Sequence, residues 1–258
     1  MKHLKEYIDV LVKEEFSMQQ FRNIVRDTSN TKEILDYANS ELEYINKGQA
    51  RQVFALPNGE RVLKIAYQSN RVTESDLGIR QNSKEVKISL YGGEGNRGSV
   101  TTVYEYDPQY KWIISERVRP IDPNSDEFSQ ETGVPEDIYY HGLERLYDDA
   151  GIDTGEQLID SYMDTIPPQI EELRNNEVNA SRLGYNRESI INARRRLESS
   201  IETYEELKND KKAMKFLTNV IRLIKKHNLL IPDVARIEHW GKAKDGKIKL
   251  YDYGAEGE

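Results

Sequence analysis

Apolar residues at the start of the chain recur at helical spacing. Leu4, Ile8, Leu11 and Val12 share one face, and Phe21, Ile24 and Val25 continue it less regularly. After Thr28-Ser29-Asn30, with Asn30 or Thr31 available as a cap, Ile34, Leu35, Ala38, Leu42 and Ile45 fall on one stripe. Residues 1–46 are therefore expected to be helical. The period then shortens. Gln52-Val53-Phe54-Ala55-Leu56 and Arg61-Val62-Leu63-Lys64-Ile65-Ala66 are β-prone runs separated by Pro57-Asn58-Gly59-Glu60, and Asn-Gly is a hairpin signal. A helix is expected over 76–91, a loop over 92–98, and strands over 100–106 and 111–118. Pro120 and Pro123 are expected to end regular pairing. From 135 to 228 the pattern is helical again. Ile190, Leu197, Ile201 and Tyr204 form one seam, and Phe216, Leu217, Val220, Ile221 and Ile224 form a second apolar face. Leu229-Leu230-Ile231-Pro232 and Ile248-Lys249-Leu250-Tyr251 read as two short strands around Asp245-Gly246. Helices, a four- or five-stranded antiparallel sheet, many helices and a terminal hairpin predict an α+β chain of two lobes.

Composition narrows the chemistry. A length of 258 residues suits one large domain or two small lobes, and charged residues at 32% imply a modest core under a highly charged surface. No apolar run approaches the ~18 residues that span a bilayer. The start, Met1-Lys2-His3-Leu4-Lys5-Glu6, shows no apolar signal core, so neither membrane nor export is expected. Zero Cys excludes disulfides and thiolate chemistry, and four His without a His-x-x-x-His pair argue against zinc. A net charge of −8 argues against general nucleic-acid binding.

Three charged residues stand where charge is costly. Lys64 interrupts an apolar strand and by alternation faces away from Leu63 and Ile65. Alone, it reads most simply as a lysine on the solvent face of an edge strand. Asp252 follows Ile248-Lys249-Leu250-Tyr251 and precedes Tyr253-Gly254, which is a turn or a place to hold a divalent ion. Asp233 follows an apolar run and a proline, and its plain account is a helix cap. Together and in order they match a protein-kinase-like layout: a hairpin with lysine, a helix with glutamate, two strands, helices, an aspartate loop and an Asp-aromatic-Gly.

Lys47-Gly48-Gln49-Ala50-Arg51-Gln52-Val53-Phe54-Ala55-Leu56, Val62-Leu63-Lys64-Ile65-Ala66 and Gly78-Ile79-Arg80-Gln81-Asn82-Ser83-Lys84-Glu85 resemble kinase-like proteins encoded by tailed bacteriophages. Trp112-Ile113-Ile114-Ser115-Glu116-Arg117-Val118, His239-Trp240-Gly241 and Tyr251-Asp252-Tyr253-Gly254 extend the resemblance, which covers roughly 46–121 and 215–258. It implies a protein-kinase-like two-lobed fold in three parts: a helical extension over 1–46, a small antiparallel-sheet lobe over 47–121 and a helical lobe over 122–258 that carries the aspartate loop and the metal-binding hairpin and is truncated after Asp-Tyr-Gly. It implies ATP and Mg2+ as cofactors. Lys64 would position phosphate, Glu85 would hold Lys64, Asp233 would orient the acceptor hydroxyl, and Asp252, with Glu238, would bind metal. Gly48 would belong to the phosphate loop, Val53 and Ala66 would cover adenine, and Glu116 to Val118 would present hinge backbone groups to it. Core packing accounts equally well for Val53, Ala66, Glu116 and Val118.

The resemblance also implies two functions. One is an ATP- and magnesium-dependent phosphotransferase with an unknown acceptor. The other is a non-catalytic kinase-like module, a phage virion component or a partner of host proteins. The setting implied is the host bacterial cytoplasm or the virion. Gly48 as the one glycine of the phosphate loop, and Glu238-His239 where kinases carry a metal-binding asparagine, favour the second. The retained Lys64, Glu85, Asp233 and Asp252 favour the first. With six residues after Asp252, no activation loop is expected.

Two further signals are set aside. Gly93-Glu94-Gly95-Asn96-Arg97-Gly98 spells a dinucleotide fingerprint but follows a helix and precedes a strand, so a connector is expected. The stretch 205–228 carries seven Lys or Arg against three Asp or Glu, and Arg194-Arg195-Arg196 adds to it. A charged helix surface explains this better than a nucleic-acid or acidic-partner contact.

Overall fold

Among the described residues five strands run β1 (Glu43–Lys47), β2 (Arg51–Ala55), β3 (Arg61–Ala66), β4 (Val103–Tyr106) and β5 (Trp112–Glu116). They form one sheet in the order β1-β2-β3-β5-β4, antiparallel throughout. The computed structural model describes residues 18–25, 31–48, 50–57, 59–67, 77–91, 98–184 and 186–253. The expected helix over 1–17 and the connector over 92–97, like Gln49, Asn58 and Gly254, lie outside the described residues. Two compact units are present, one made of the described residues up to Ile121 and from Glu238 onward, the other of Asp122–Ile237.

In the sheet-bearing unit the central strands β3 and β5 are buried on both faces while β1 is exposed along its length, and alternation sorts the contacts. Phe54, Leu63, Ile65, Trp112 and Ile114 point to one side. There they pack against a helix over 18–25 (α1) and against α2 (Thr31–Glu41), through Met18, Phe21, Ile34 and Ala38. Phe21 meets Trp112 edge-on at 5.0 Å between ring centroids. On the other side Ile113 and Val103 pack against Val86 of α3 (Leu77–Tyr91). Gly78 opens α3, where an added Cβ would lie 2.3 Å from the Ala50 carbonyl oxygen and 2.9 Å from Ala66 Cβ. Only glycine lets the helix start so close to β2 and β3.

A second sheet joins β6 (Arg119–Pro120), β7 (Trp240–Lys242) and β8 (Ile248–Leu250). It is tied to the chain before β4, since Leu250 N–H donates to Ser99 O at 2.9 Å and Thr101 N–H to Leu250 O at 3.1 Å.

The helical unit holds α4 (Glu127–Thr132), α5 (Glu136–Asp148), α6 (Gly155–Met163), α7 (Ile166–Leu183), α8 (Arg187–Asn209), α9 (Lys211–His227) and α10 (Ile231–Ala235). Thr154 and Gln157 close a capping box on α6. Asp210 caps α9 by accepting from Lys212 and Ala213 N–H at 2.7 and 3.1 Å. Of the predicted apolar face of α9, Leu217, Val220, Ile221 and Ile224 are buried and Phe216 is half-buried, and Ala213, Met214 and Leu223 are buried with them. Of the basic stretch, Lys208 pairs with Asp160 at 2.6 Å, Lys225 with Asp153 at 2.7 Å, and Lys212 donates to Gln130 O. Among the described residues no helix is long and apolar enough to cross a membrane.

Four expectations are corrected. The first helical region ends at Glu41, and Tyr44 and Ile45 belong to β1, because 43–47 pairs with β2. Leu229–Pro232 is no strand: Pro232 sits in the first turn of α10, where its missing N–H has no partner to lose. Pro120 does not end pairing but lies opposite Gly241 on the edge strand β6. Residues from Glu238 onward belong with the sheets rather than with the preceding helices, through β6, β7 and the bonds to Ser99 and Thr101.

Candidate functional site

Register fixes which side chains share the α3 face of the sheet. Val53 stands opposite Lys64 and Arg51 opposite Ala66, while Lys64 also faces Ile113 of β5. Antiparallel partners point the same way, so Arg51, Val53, Lys64 and Ala66 all lie toward α3. On α3, Gly78, Asn82 and Glu85 recur at steps of four and three and form one stripe. Glycine gives the close approach, and the other two present side-chain oxygens to the sheet.

The result is a buried charge cluster. Lys64 is 5% exposed, Arg51 6% and Glu85 0%. Lys64 Nζ donates to Glu85 Oε2 at 2.7 Å and to the Tyr251 carbonyl at 2.9 Å. Arg51 takes the other oxygen, with Nη1 at 2.5 Å from Glu85 Oε1 and 3.4 Å from Asn82 Oδ1. Its Nη2 donates to Asp252 Oδ1 at 3.0 Å. Asn82 is itself held, because its Nδ2 donates to Tyr110 O at 2.9 Å. Tyr110 lies at φ 59, at the end of the Asp107-Pro108-Gln109 turn, whose Asp107 carboxylate accepts the N–H groups of Gln109 and Lys111.

Two cations and two carboxylates balance in charge, but solvent reaches them unequally. The Asp252 side chain is 48% exposed, so its carboxylate is the cluster's outlet to water. Burial pushes the Lys64 ammonium below the usual lysine value, and Arg51 adds to this against the pull of Glu85. Burial also works against the Arg51 charge, yet Glu85 and Asp252 more than offset it and raise the guanidinium further. Burial would raise the Asp252 carboxyl, but Arg51, Lys64 and His239 outweigh it and hold the group below the ordinary aspartate value. The Tyr251 phenol, half-buried and near Asp252 and Glu238, is pushed up to about 12.

The remaining predicted residues are distributed as follows. Gly48 closes the β1–β2 hairpin: its N–H donates to Arg51 O at 2.9 Å, and its carbonyl accepts from Tyr67 OH at 2.7 Å. Val53 is half-buried beside Lys64, and Ala66 packs against the start of α3 at Gly78. Both oxygens of Glu116 accept from the buried Lys249 Nζ at 2.8 Å, and Oε2 also accepts Thr102 N–H. Glu116 N–H donates to Thr102 O and Arg117 N–H to Glu60 O. Val118 packs on Gly241, where an added Cβ would lie 2.5 Å from Val118 Cγ2. Glu238 is exposed in a short 3-10 turn, and its carbonyl, not its carboxylate, accepts from Tyr251 OH at 2.6 Å. Asp233 lies in the first turn of α10 in the helical unit, with its N–H bonded to Leu230 O.

The structure thus brings Lys64, Glu85 and Asp252 into one cluster, with Val53 and Ala66 on the same sheet face. It also adds Arg51, which sequence reasoning missed. The signal was faint: an arginine at the first position of β2, opposite the small Ala66. Chemically the cluster fixes two positive charges, Lys64 and Arg51, side by side on one face of the sheet. It suits a divalent cation poorly, because Arg51 already stands among the oxygens of Glu85, Asn82 and Asp252 and engages Oδ1 of Asp252. Among the described residues no three His, Asp or Glu side chains are grouped to hold a metal.

No protein-family model matches the chain, and no curated protein does either.

Proposed function

We propose that this chain is a kinase-like protein whose sheet-bearing unit binds the phosphates of a nucleotide and holds them without efficient transfer. The observation that carries this reading is the buried Lys64–Glu85 ion pair at 2.7 Å, on a strand face that also carries Arg51 and Val53. A lysine locked by a helix glutamate is a preorganised partner for phosphate, since its rotamer is already fixed before the anion arrives. Arg51 supports the non-catalytic form of the reading. It is permanently charged and occupies one oxygen of the carboxylate that metal-assisted transfer would need. In this role Glu85 orients both cations, Asp252 holds the outer end of Arg51, and the Gly48 hairpin carries Arg51 to the cluster.

A second reading, ATP-dependent phosphotransfer with Asp233 orienting the acceptor, draws its support from the 48% exposure of Asp252, which leaves that carboxylate open to solvent. One pair of measurements separates the two. Thermal unfolding is followed with and without ATP, and ligand at 100 times its dissociation constant stabilises by about 2.7 kcal/mol. Lys64→Ala is expected to abolish the shift; absence of any shift in the native protein ends the nucleotide reading. Phosphate release from ATP is then expected to match that of Asp252→Ala. Turnover well above that variant and above Lys64→Ala would establish phosphotransfer instead.

A further inference from the structure

Three side-chain oxygens converge on the Arg51 guanidinium. Glu85 Oε1 lies 2.5 Å from Nη1, Asn82 Oδ1 3.4 Å from the same nitrogen, and Asp252 Oδ1 3.0 Å from Nη2. Two carboxylates and an amide carbonyl are the donor set that a hard dication takes. Each is fixed from outside the guanidinium: Glu85 by Lys64, Asn82 by Tyr110 O, and Asp252 by its place next to Tyr251, whose carbonyl bonds Lys64. The nest of oxygens is therefore built into α3 and the residues after β8, and the cation within it comes from β2. A guanidinium cannot lose its proton in a protein, and its planar fork matches two carboxylates at once. A metal ion would have to expel it from a site that is almost fully buried at Arg51.

We infer that Arg51 is the resident cation of this unit, filling the position among Glu85, Asn82 and Asp252 that a divalent metal would otherwise take, so that nucleotide phosphate meets Arg51 and Lys64 with no divalent ion required. The second half rests on the nucleotide reading; the first does not. This is an exchange of one cation for another: a substitution that withdraws the guanidinium leaves oxygen donors facing one another and opens the place to a metal.

Two experiments on the full chain test it. In the first, Mn2+ alone is titrated and free ion is followed by electron paramagnetic resonance. The native protein is expected to show no saturable site. Arg51→Gln is expected to gain one, binding at least tenfold more tightly than any native background, and Arg51→Gln with Asp252→Asn is expected to lose it. Arg51→Lys keeps the charge and is expected to keep Mn2+ out. Tight binding by the native protein that Asp252→Asn abolishes overturns the inference, as does a folded Arg51→Gln that gains no site. The native titration decides even if Arg51→Gln does not fold. In the second, binding of a non-hydrolysable ATP analogue is measured in Mg2+ and in EDTA. Affinities within twofold are expected for the native protein, with a tenfold or greater advantage for Mg2+ in Arg51→Gln. A native protein that needs Mg2+ by tenfold or more overturns the metal-free claim. Failure to bind the analogue in either buffer defeats the nucleotide reading alone, and the Mn2+ titration still judges Arg51.

Discussion

Removing Glu85 should damage the sheet-bearing unit more than removing either cation it holds. The carboxylate is fully buried and serves Arg51 at 2.5 Å and Lys64 at 2.7 Å. At an effective dielectric of 20 each contact is worth roughly 6 kcal/mol of gross attraction. Most of that offsets the cost of taking the three groups out of water, so the net worth of the cluster is small. The cost of breaking it is not. Breaking a buried pair by deleting one partner costs about 3–5 kcal/mol, because a charge is left uncompensated. Glu85→Ala strands two cations, so its effect belongs at the upper end, about 5 kcal/mol, a large share of the 5–15 kcal/mol typical of a domain. Lys64→Met leaves Glu85 paired with Arg51, and Arg51→Met leaves it paired with Lys64. Each should cost about 2 kcal/mol, the scale of hydrogen bonds to a charged group. The assay is urea unfolding read by tryptophan emission. The chain has two tryptophans, Trp112 and Trp240, both buried in the sheet-bearing unit, so their signal reports that unit alone. A Glu85→Ala loss below about 1 kcal/mol, or a Lys64→Met loss as large as that of Glu85→Ala, would refute the reasoning.

Gly78→Ala should destabilise by about 1–3 kcal/mol, since crowding at Ala50 and Ala66 outweighs the ~1 kcal/mol that alanine gains in a helix; the urea midpoint reads the difference. Gly59→Ala is the control, because its cost comes from a φ of +70° alone, with no atom within 4 Å of the new Cβ. Asp210→Ala should cost about 1 kcal/mol through loss of the α9 cap, seen as an earlier helical transition by circular dichroism, and a neutral result would show that the Lys212 and Ala213 N–H groups find other acceptors. The Asp252 carboxyl is held below its unfolded value, so its contribution is complete above that value and is lost as pH falls through the folded one. The stability gap between native protein and Asp252→Asn should stay constant near neutrality and narrow below about pH 4. A gap unchanged at pH 3 would count against the Arg51–Asp252 contact.

What the sequence made legible was whatever local periodicity controls. Alternation through Val62-Leu63-Lys64-Ile65-Ala66 put Lys64 opposite Leu63 and Ile65, and the two sides of that strand are buried against different helices. The steps from Gly78 to Asn82 to Glu85 mark one helical stripe, and Glu85 sits where it meets Lys64. Arg51 was not legible because its partners lie 34 and 201 positions away, and nothing near it in the chain announces either. Register, not pattern, sends its side chain inward. Ile45 fitted a helical stripe by spacing, yet its neighbours Tyr44 and Asn46 pair with β2 and carry it into a strand at a register irregularity, as tertiary context overrides a weak local preference. Leu229-Leu230-Ile231-Pro232 was a short apolar run that fits strand or helix equally, and Pro232 decided for the first turn of a helix. The terminal hairpin was half right: Ile248–Leu250 pairs, but with Trp240–Lys242, whose strand character an indole and a glycine did not reveal.

The segment Asp122–Ile237 leaves and rejoins the sheet-bearing unit at adjoining points, for Pro120 lies opposite Gly241 and Ile121 N–H bonds Trp240 O at 3.0 Å. Adjacent antiparallel strands need only a tight loop between them. The seven helices therefore form one insertion between neighbouring strands of a single sheet, and Arg51, Lys64, Glu85 and Asp252 all lie on the chain to either side of it.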